Sequence, residues 1–264
     1  DAAAIAAACE GSAVTIQTVE RREKSEKAPA LYDLTTLQRD ANRILGYTAQ
    51  QTLDYLQALY EKKLCTYPRT DSRYLTDDME NAVPMLVSAA AVICGVDAPG
   101  TALAAQVCSS KNVTDHHAVV PTKSAADADL AALPQGEREI LRLVSLGLLR
   151  AVCPPYRYAE TVVTVECGGN SFTTKGKMVL DVGWRVYAAP SKDAALPDGL
   201  AEGQSLTVDA VQVKEGKTTP PKHFTEDTIL QSMETAGAGE MPEDAERKGI
   251  GPPATRAAIL EKLV

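Results

Sequence analysis

The hydrophobic period of this chain changes twice, and that change limits the folds open to it. Residues 13–20 (Ala-Val-Thr-Ile-Gln-Thr-Val-Glu) alternate with period two, Val14, Ile16 and Thr18 on one face and Thr15, Gln17 and Val19 on the other. From Leu34 to about residue 154 the period is helical. Residues 158–166 (Tyr-Ala-Glu-Thr-Val-Val-Thr-Val-Glu) return to period two, Gly168-Gly169-Asn170 reads as a hairpin turn, 171–175 and 183–187 continue the strands, and 204–213 adds one more. A lone strand leaves its backbone donors and acceptors unpaired, so the first strand must pair with the later ones. The expectation is an α+β chain in which a β domain is interrupted by an inserted helical domain. Pro220-Pro221 then ends the strands and opens a third, helical region, 225–236 and, after an acidic, glycine-rich stretch, 255–263. The boundaries drawn this way are 1–33, 34–156, 157–217 and 218–264, with the polar 24–30, which contains Pro29, as a linker.

Local signals place the helices. Thr35 can cap the first, whose buried positions are Leu37, Ala41, Ile44 and Leu45, and Gly46 sits where a left-handed terminating residue belongs. Thr48 and Gln51 form a capping box for a second helix with the stripe Leu53, Leu56, Leu59, Tyr60 and Leu64. Thr76 or Asp77, with Glu80, begins a third over 82–95 that tolerates Pro84 in its first turns. A fourth over 136–152 buries Ile140, Leu143, Val144 and Leu148.

Charge narrows the partners. Twenty-seven Lys and Arg face 35 Asp and Glu over 264 residues, a net charge of -8, so any nucleic-acid contact is local rather than a general wrapping. No apolar run approaches the ~20 residues of a membrane span, and the alanine-rich start follows Asp1 rather than a basic segment, which excludes a signal peptide. The six cysteines lack a C-x-x-C pair, arguing against a zinc knuckle or a disulfide framework and for free thiols in a cytoplasmic protein. The missing initiator Met and an end inside a helical pattern suggest a piece of something longer.

Three segments carry chemistry. In Cys65-Thr-Tyr-Pro-Arg-Thr-Asp-Ser-Arg-Tyr-Leu75, Pro68 holds Tyr67 extended at the mouth of a turn, and Arg69, two residues on, shares its side and suits a phosphate. Lys62, Lys63, Arg69 and Arg73 against Glu61 and Asp71 make a local positive spot. Arg69 could lower the phenol's pKa and neutralise transition-state charge on a phosphate; equally, Tyr67 could be a surface tyrosine in a proline turn. In Asp115-His116-His117-Ala-Val-Val-Pro-Thr122 the adjacent histidines point opposite ways if extended, so at most one faces a shared site, and either could simply bond nearby backbone. Gly249-Ile-Gly-Pro-Pro-Ala-Thr-Arg256 leads into a helix whose free N–H groups could seat a phosphate, as any helix start could.

Taken together, these segments resemble the type IA DNA topoisomerases, most closely the topoisomerase III branch. The family's Tyr-(Met/Pro)-Arg-(Thr/Ser)-Asp motif appears at 67–71, its His-x-Ala-x-x-Pro-Thr motif at 116–122, and its Gly-(Ile/Leu)-Gly-x-x-(Ala/Ser)-Thr-(Arg/Tyr) segment at 249–256. Residues 34–41 and Phe224-Thr225-Glu226 look like further landmarks, in order and register over nearly the whole chain. The resemblance implies a multidomain arch fragment of a toroidal enzyme: a β hinge domain, an inserted helical domain bearing the active-site tyrosine, and the start of a helical base domain. It implies ATP-independent cleavage of one DNA strand through a 5′-phosphotyrosine link, strand passage and religation, for relaxation or decatenation. By this mapping Tyr67 is the nucleophile and Arg69 and His116 hold or polarise the scissile phosphate. Asp71, Ser72, Arg73, His117, Thr122, Gly251, Thr255 and Arg256 form the DNA-contacting set, Asp71 and Ser72 shaping the tyrosine's turn.

The same resemblance implies single-stranded DNA as partner, duplex DNA passed through the gate of the full enzyme, no membrane, and a monomer. Magnesium belongs, in the family, to an N-terminal TOPRIM domain that these residues do not contain, so no metal is expected here. Asp127-Ala-Asp129 has the letters of an Asp-x-Asp pair but reads as the cap of a helix at Leu130. The fragment is therefore expected to be inactive in cleavage by itself. The reading from another class is a non-catalytic single-strand clamp, with bases stacked on tyrosines such as Tyr67 and Tyr74; the net charge of -8 and the scarcity of Trp and Phe weigh against it. Tyrosine recombinases and relaxases need arginine-pair or three-histidine constellations that the sequence lacks.

Overall fold

The computed structural model describes residues 1–190, 193–237 and 249–262. The acidic, glycine-rich stretch before Gly249 and the end of the expected final helix, at Leu263, lie outside the described residues. The chain divides into two compact units, one of Asp1–Lys27 with Pro155–Pro221, the other of Ala28–Pro154 with the segment from Lys222 onward.

In the first unit a short helix α1 (Ala2–Cys9) precedes β1 (Ala13–Glu26), which pairs antiparallel with β2 (Tyr156–Cys167); β2 pairs with β3 (Asn170–Asp181), and β4 (Ser205–Thr207) adds to the other edge of β1. The order is β3-β2-β1-β4, so the early strand does lie among the late ones. Gly168 and Gly169, both at positive φ, close the β2–β3 hairpin. Three expectations need correction. β1 runs on through the polar 24–26, because Lys24 pairs with Tyr158 in register and its ammonium meets Glu160 at 2.6 Å. Residues 183–187 form a 3-10 turn instead of a strand, entered where the Asp181 carboxylate accepts from the Gly183 N–H. Of 204–213, only Ser205–Thr207 finds a ladder partner.

The second unit is helical: α2 (Leu34–Leu45), α3 (Ala49–Glu61), α4 (Val83–Cys94), α5 (Gln135–Ala151), α6 (Glu226–Thr235) and α7 (Pro253–Glu261). Leu34, Leu37, Leu56, Leu59, Ile140 and Val144 are fully buried in one cluster; Ile44, expected inside, is 53% exposed. The helix starts follow side-chain chemistry. Thr48 and Gln51 form their box, whereas α2 is capped by Asp33 reciprocating with Thr36, Asp33 having the extended backbone that a cap requires. Of the two starts read for the third helix, Thr76 holds the cap position of the turn at 77–82 without a side-chain bond, while Asp77 exchanges hydrogen bonds with Ser110 across the loop. Asp129 does cap the turn at Leu130. In α5, Gly136 and Gly147 are needed for close approach, since a Cβ would lie 2.4 Å from the Tyr55 ring and 2.5 Å from that of Tyr32.

Sequence periodicity set 218–264 apart, yet the helices after Lys222 cluster with the inserted block. Polar contacts hold them there. Arg39 meets Asp227 at 2.8 Å, the Asp227 N–H donates to Asn42, and the Glu226 carboxylate accepts from the Ala49 N–H, capping α3 where its dipole favours an anion. Leu230, Ala257 and Leu260 pack on Ala49.

Candidate active site

The Tyr67 turn is fixed by its flanks. α3 ends with Lys63 in the left-handed region, φ 61°, which turns the chain so that Leu64–Thr66 runs beside the 118–122 segment. The Thr66 N–H donates to the Val120 carbonyl, the Thr122 N–H to that of Leu64, and the Thr66 hydroxyl to that of Ala118. On the far side of the turn, the Ala118 N–H donates to Tyr74 and the Thr70 hydroxyl to the His116 carbonyl at 2.8 Å. Tyrosine and histidine loops are thus tied together by backbone and threonine bonds rather than by their functional side chains.

Within this frame Tyr67 is half-buried, its ring tilted against the His116 imidazole with centroids 4.2 Å apart. Tyr60 meets the other ring edge-on at 5.4 Å. His116 also lines a cavity of about 220 Å³ together with Arg69, Asp71, Thr114 and Asp115, closed by Pro252–Ala254 at the start of α7. Arg69 and His116 are both exposed. The cavity thus carries one guanidinium and one imidazole beside the start of α7, a pair of side chains that suits an anionic, tetrahedral group.

The remaining candidates separate. Asp71 accepts from the Thr114 hydroxyl at 2.6 Å at the cavity edge. Ser72 is buried and bonds the carbonyls of Asn112 and Tyr74, shaping the turn. His117 turns back on its own chain, Nδ1 2.8 Å from the Ala118 carbonyl, as one of the two readings of the pair allowed. Thr122 donates to Lys63, and the Thr255 hydroxyl, exposed, to Pro252. Gly251 contributes its carbonyl to the Arg256 guanidinium. Arg256, mapped by resemblance to the DNA strand, is only 3% exposed; it donates to Ile250, Gly251 and the Thr35 hydroxyl, bracing α7 against α2.

The positive spot read from 60–74 is likewise dispersed. Lys62 pairs with Glu137 and Arg73 bonds the Leu31 carbonyl, so of its four cations Arg69 is the one that lines the tyrosine-side cavity. Sequence reasoning missed Tyr60, assigned to the buried stripe but 40% exposed, and the Thr114–Asp115 wall, whose only signal was adjacency to the histidines. Five of the six cysteines are buried and Cys108 is half-buried; burial pushes the thiols of Cys94 and Cys153 up to about 11 and that of Cys65 higher.

Magnesium, which the resemblance ties to the TOPRIM domain, needs an oxygen-rich set of ligands. Among the described residues no three His, Cys, Asp or Glu side chains converge, and the cavity offers only Asp71 and Asp115, the first already bonded to Thr114. These residues do not fit a resident metal, and no step below runs through one.

Comparison with known proteins gives a consistent answer. A family model described as DNA topoisomerase matches residues 1–264. DNA topoisomerase 3 of Bacillus licheniformis is 37% identical over 281 aligned positions, covering 98% of this chain, and that of Bacillus subtilis 36% identical, covering 96%. The chain spans 38% of the length of each. Full-length topoisomerase I from Thermotoga maritima superposes over 100% of this chain and 42% of its own, with a TM-score of 0.76 at 22% identity, a likeness of fold.

Proposed function

The chain belongs to the DNA topoisomerase family, type IA, in the topoisomerase III branch, and from that premise we propose that it carries the strand-cleaving half of the active site, with Tyr67 as nucleophile. The phenolic oxygen attacks a backbone phosphorus of single-stranded DNA, the P–O bond to the tyrosine forms as the bond to the 3′ oxygen breaks, and the 5′ phosphate stays on the protein. The phenol's proton leaves and the departing 3′ oxygen takes one up. The reverse reaction reseals the strand, and because the ester conserves the bond energy no nucleotide triphosphate is consumed. In the whole protein this supports relaxation or decatenation of DNA, with a duplex passed through the opened strand.

The observation that carries this reading is the contact of the Tyr67 and His116 rings beside a cavity that Arg69 also lines. A phenol in solution is ionised to about one part in a thousand at pH 7, a deficit of about 4 kcal/mol. Arg69 offsets part of it by neutralising charge that grows on the phosphate oxygens during transfer. His116 holds the phosphate or moves a proton, and Tyr60 and His116 restrict the phenol's ring from two sides. Asp71 and Ser72 keep the turn in shape, and the exposed Thr255, next in the chain to the cavity-lining Ala254, is assigned to the strand beside the site. We assign Arg256 a bracing role.

Two measurements test the reading. With magnesium and an end-labelled single strand, this chain is expected to form no covalent adduct, since the family's metal-holding domain is outside it; an adduct through Tyr67 would refute that part. In the full-length protein, Tyr67→Phe should abolish relaxation while leaving single-strand binding intact. Relaxation retained by that variant would remove Tyr67 as the nucleophile.

A further inference from the structure

Two of the six cysteines face each other. Cys65, Cys94, Cys108 and Cys153 belong to the helical unit, whereas Cys9, at the end of α1, meets Cys167, at the end of β2, in the other unit. Their hydrogen bonds cross. The Cys9 Sγ–H donates to the Cys167 carbonyl at 3.4 Å and the Cys167 Sγ–H to the Cys9 carbonyl at 3.8 Å, with the two thiols themselves in hydrogen-bonding contact. The backbones are close as well. Gly168 lies so near Ala8 that a Cβ there would stand 2.5 Å from the Ala8 carbonyl oxygen, and its φ of 56° favours glycine. A disulfide requires this combination, paired sulfurs on backbones that approach within about 7 Å.

β1 and β2 run antiparallel, with Thr15 opposite Glu166 near one end and Glu26 opposite Tyr156 at the other. The chain crosses to the helical unit after Lys27 and returns before Pro155, both at the Glu26–Tyr156 end, so the cysteines sit at the end remote from the crossovers. A bond between them closes a chain loop that contains the whole insertion and staples the strand pair there.

We infer that Cys9 and Cys167 are a redox-active pair, a modification site whose oxidant is a low-molecular-weight disulfide and whose product is a disulfide between them. The step is thiol–disulfide exchange. The Cys9 thiolate attacks one sulfur of the reagent, and the thiol that leaves takes up the proton. In the mixed disulfide so formed, the Cys167 thiolate attacks the Cys9 sulfur, and a second thiol leaves with the second proton. The protein loses two hydrogens with their electrons, and the reagent is reduced to two thiols. Cys9 attacks first because it is the one buried residue of α1, so lifting that helix uncovers it without unpairing a strand. Burial, and then the neighbouring Cys9 thiol, hold the Cys167 thiol above its ordinary value, so it reacts second, when redocking of α1 brings the mixed disulfide against it. Disulfides of proteins in reducing compartments are characteristically of this reversible kind.

The test uses this chain carrying Cys108→Ser, because Cys108 is the half-buried thiol and would react independently. Oxidised glutathione is added to the reduced protein, residual thiols are alkylated, and tryptic peptides are read by mass spectrometry. The expected product is a peptide pair joined through Cys9 and Cys167, two hydrogens lighter than its free parts and separated by dithiothreitol. The oxidised protein should melt about 5 °C or more above the reduced one, the scale expected of a bond that closes a long loop. With Cys167→Ser added, glutathione should accumulate on Cys9 ahead of the buried Cys65, Cys94 and Cys153. Absence of the joined pair at reagent levels that modify Cys108 in the unsubstituted chain would overturn the proposal. So would a Cys9 as slow as those three thiols in a variant that keeps its circular dichroism, or a joined form that melts below the reduced one. The pair takes no part in DNA cleavage, so loss of the Tyr67 assignment leaves these outcomes unchanged.

Discussion

Two motif segments dock on the first turn of α2 and do opposite things there. The Tyr67–Arg73 turn gives a carbonyl, that of Thr70, to the Leu34 N–H, and sends Arg69 outward into solvent. The 249–256 segment gives a side chain, the Arg256 guanidinium, to the Thr35 hydroxyl, and buries it. Both arginines sit in motifs of the same family, so motif membership alone does not say whether a cation meets a ligand or holds the fold. What decides is which groups satisfy its N–H bonds. Arg256 has two carbonyls and a hydroxyl from its own chain; Arg69 lines a cavity with an imidazole and has no protein partner among the described residues.

That contrast predicts the largest difference in this molecule. Arg256→Ala leaves two part-buried carbonyls and the buried Thr35 hydroxyl without their donor and should destabilise the docking of α6 and α7 by about 1–2 kcal/mol. Amide hydrogen exchange should then speed up in Glu226–Thr235 and Pro253–Glu261 while α5 stays protected. Arg69→Ala, at an exposed side chain, should change stability by less than about 0.5 kcal/mol while weakening single-strand binding. If the two variants exchanged these phenotypes, the division into displayed and bracing arginines would be wrong.

The same division explains what was legible in the sequence. Alternation at 13–20 and 158–166 revealed the split sheet, because facing residues repeat every second position whatever the partner strand. The capping box at Thr48 and Gln51 was readable because cap chemistry is local. The cap of α2 was misread by two residues, since Asp33, Thr35 and Thr36 are all good caps and only backbone geometry chooses among them. Tyr67, Arg69 and His116 were legible as a set through the motif pattern. The destination of Arg73 was not, because it depends on the Leu31 carbonyl, 42 residues earlier in the chain. Nor was the burial of Arg256, which depends on Thr35 at the other end of the helical unit.

Asp33 sharpens the comparison at the point where both segments meet α2. Its carboxyl is buried, and desolvation holds its pKa above the usual carboxylate value despite the opposing hydrogen bonds from Thr36 and the field of Arg73. In the folded state the group therefore binds its proton more tightly than in the unfolded state, so this residue's contribution to stability is greatest at acid pH and declines as pH rises through the raised value. Asp33→Asn keeps an accepting oxygen for the Thr36 N–H and removes the buried charge. Relative to wild type, the variant should gain thermal stability as pH rises from the carboxylate range to neutrality. Melting curves across pH 3–7 measure it, and a gain that shrank toward neutrality would show that the Thr36 and Arg73 contacts outweigh desolvation.

The smallest effect concerns the residue that starts the displayed turn. Lys63 is the non-glycine residue with positive φ among those described, and its position after α3 is that of a left-handed helix terminus, with the Leu64 N–H donating to the Leu59 carbonyl. An L side chain in that region is strained by about 1 kcal/mol, whereas glycine is not. Its carbonyl, which accepts from Thr122, is backbone and survives any substitution. Lys63→Gly should therefore raise stability by up to about 1 kcal/mol, less the loss of glycine's greater freedom when unfolded. If the turn's geometry is imposed by the 118–122 segment, as its backbone bonds imply, single-strand binding by the variant should change only by what one surface charge supplies, and its salt slope should shift by no more than one contact. A Lys63→Gly protein that is less stable than wild type would instead place the Lys63 side chain among the groups that hold the turn, and Arg69 would then stand on a less rigid base than the ladder to Val120 suggests.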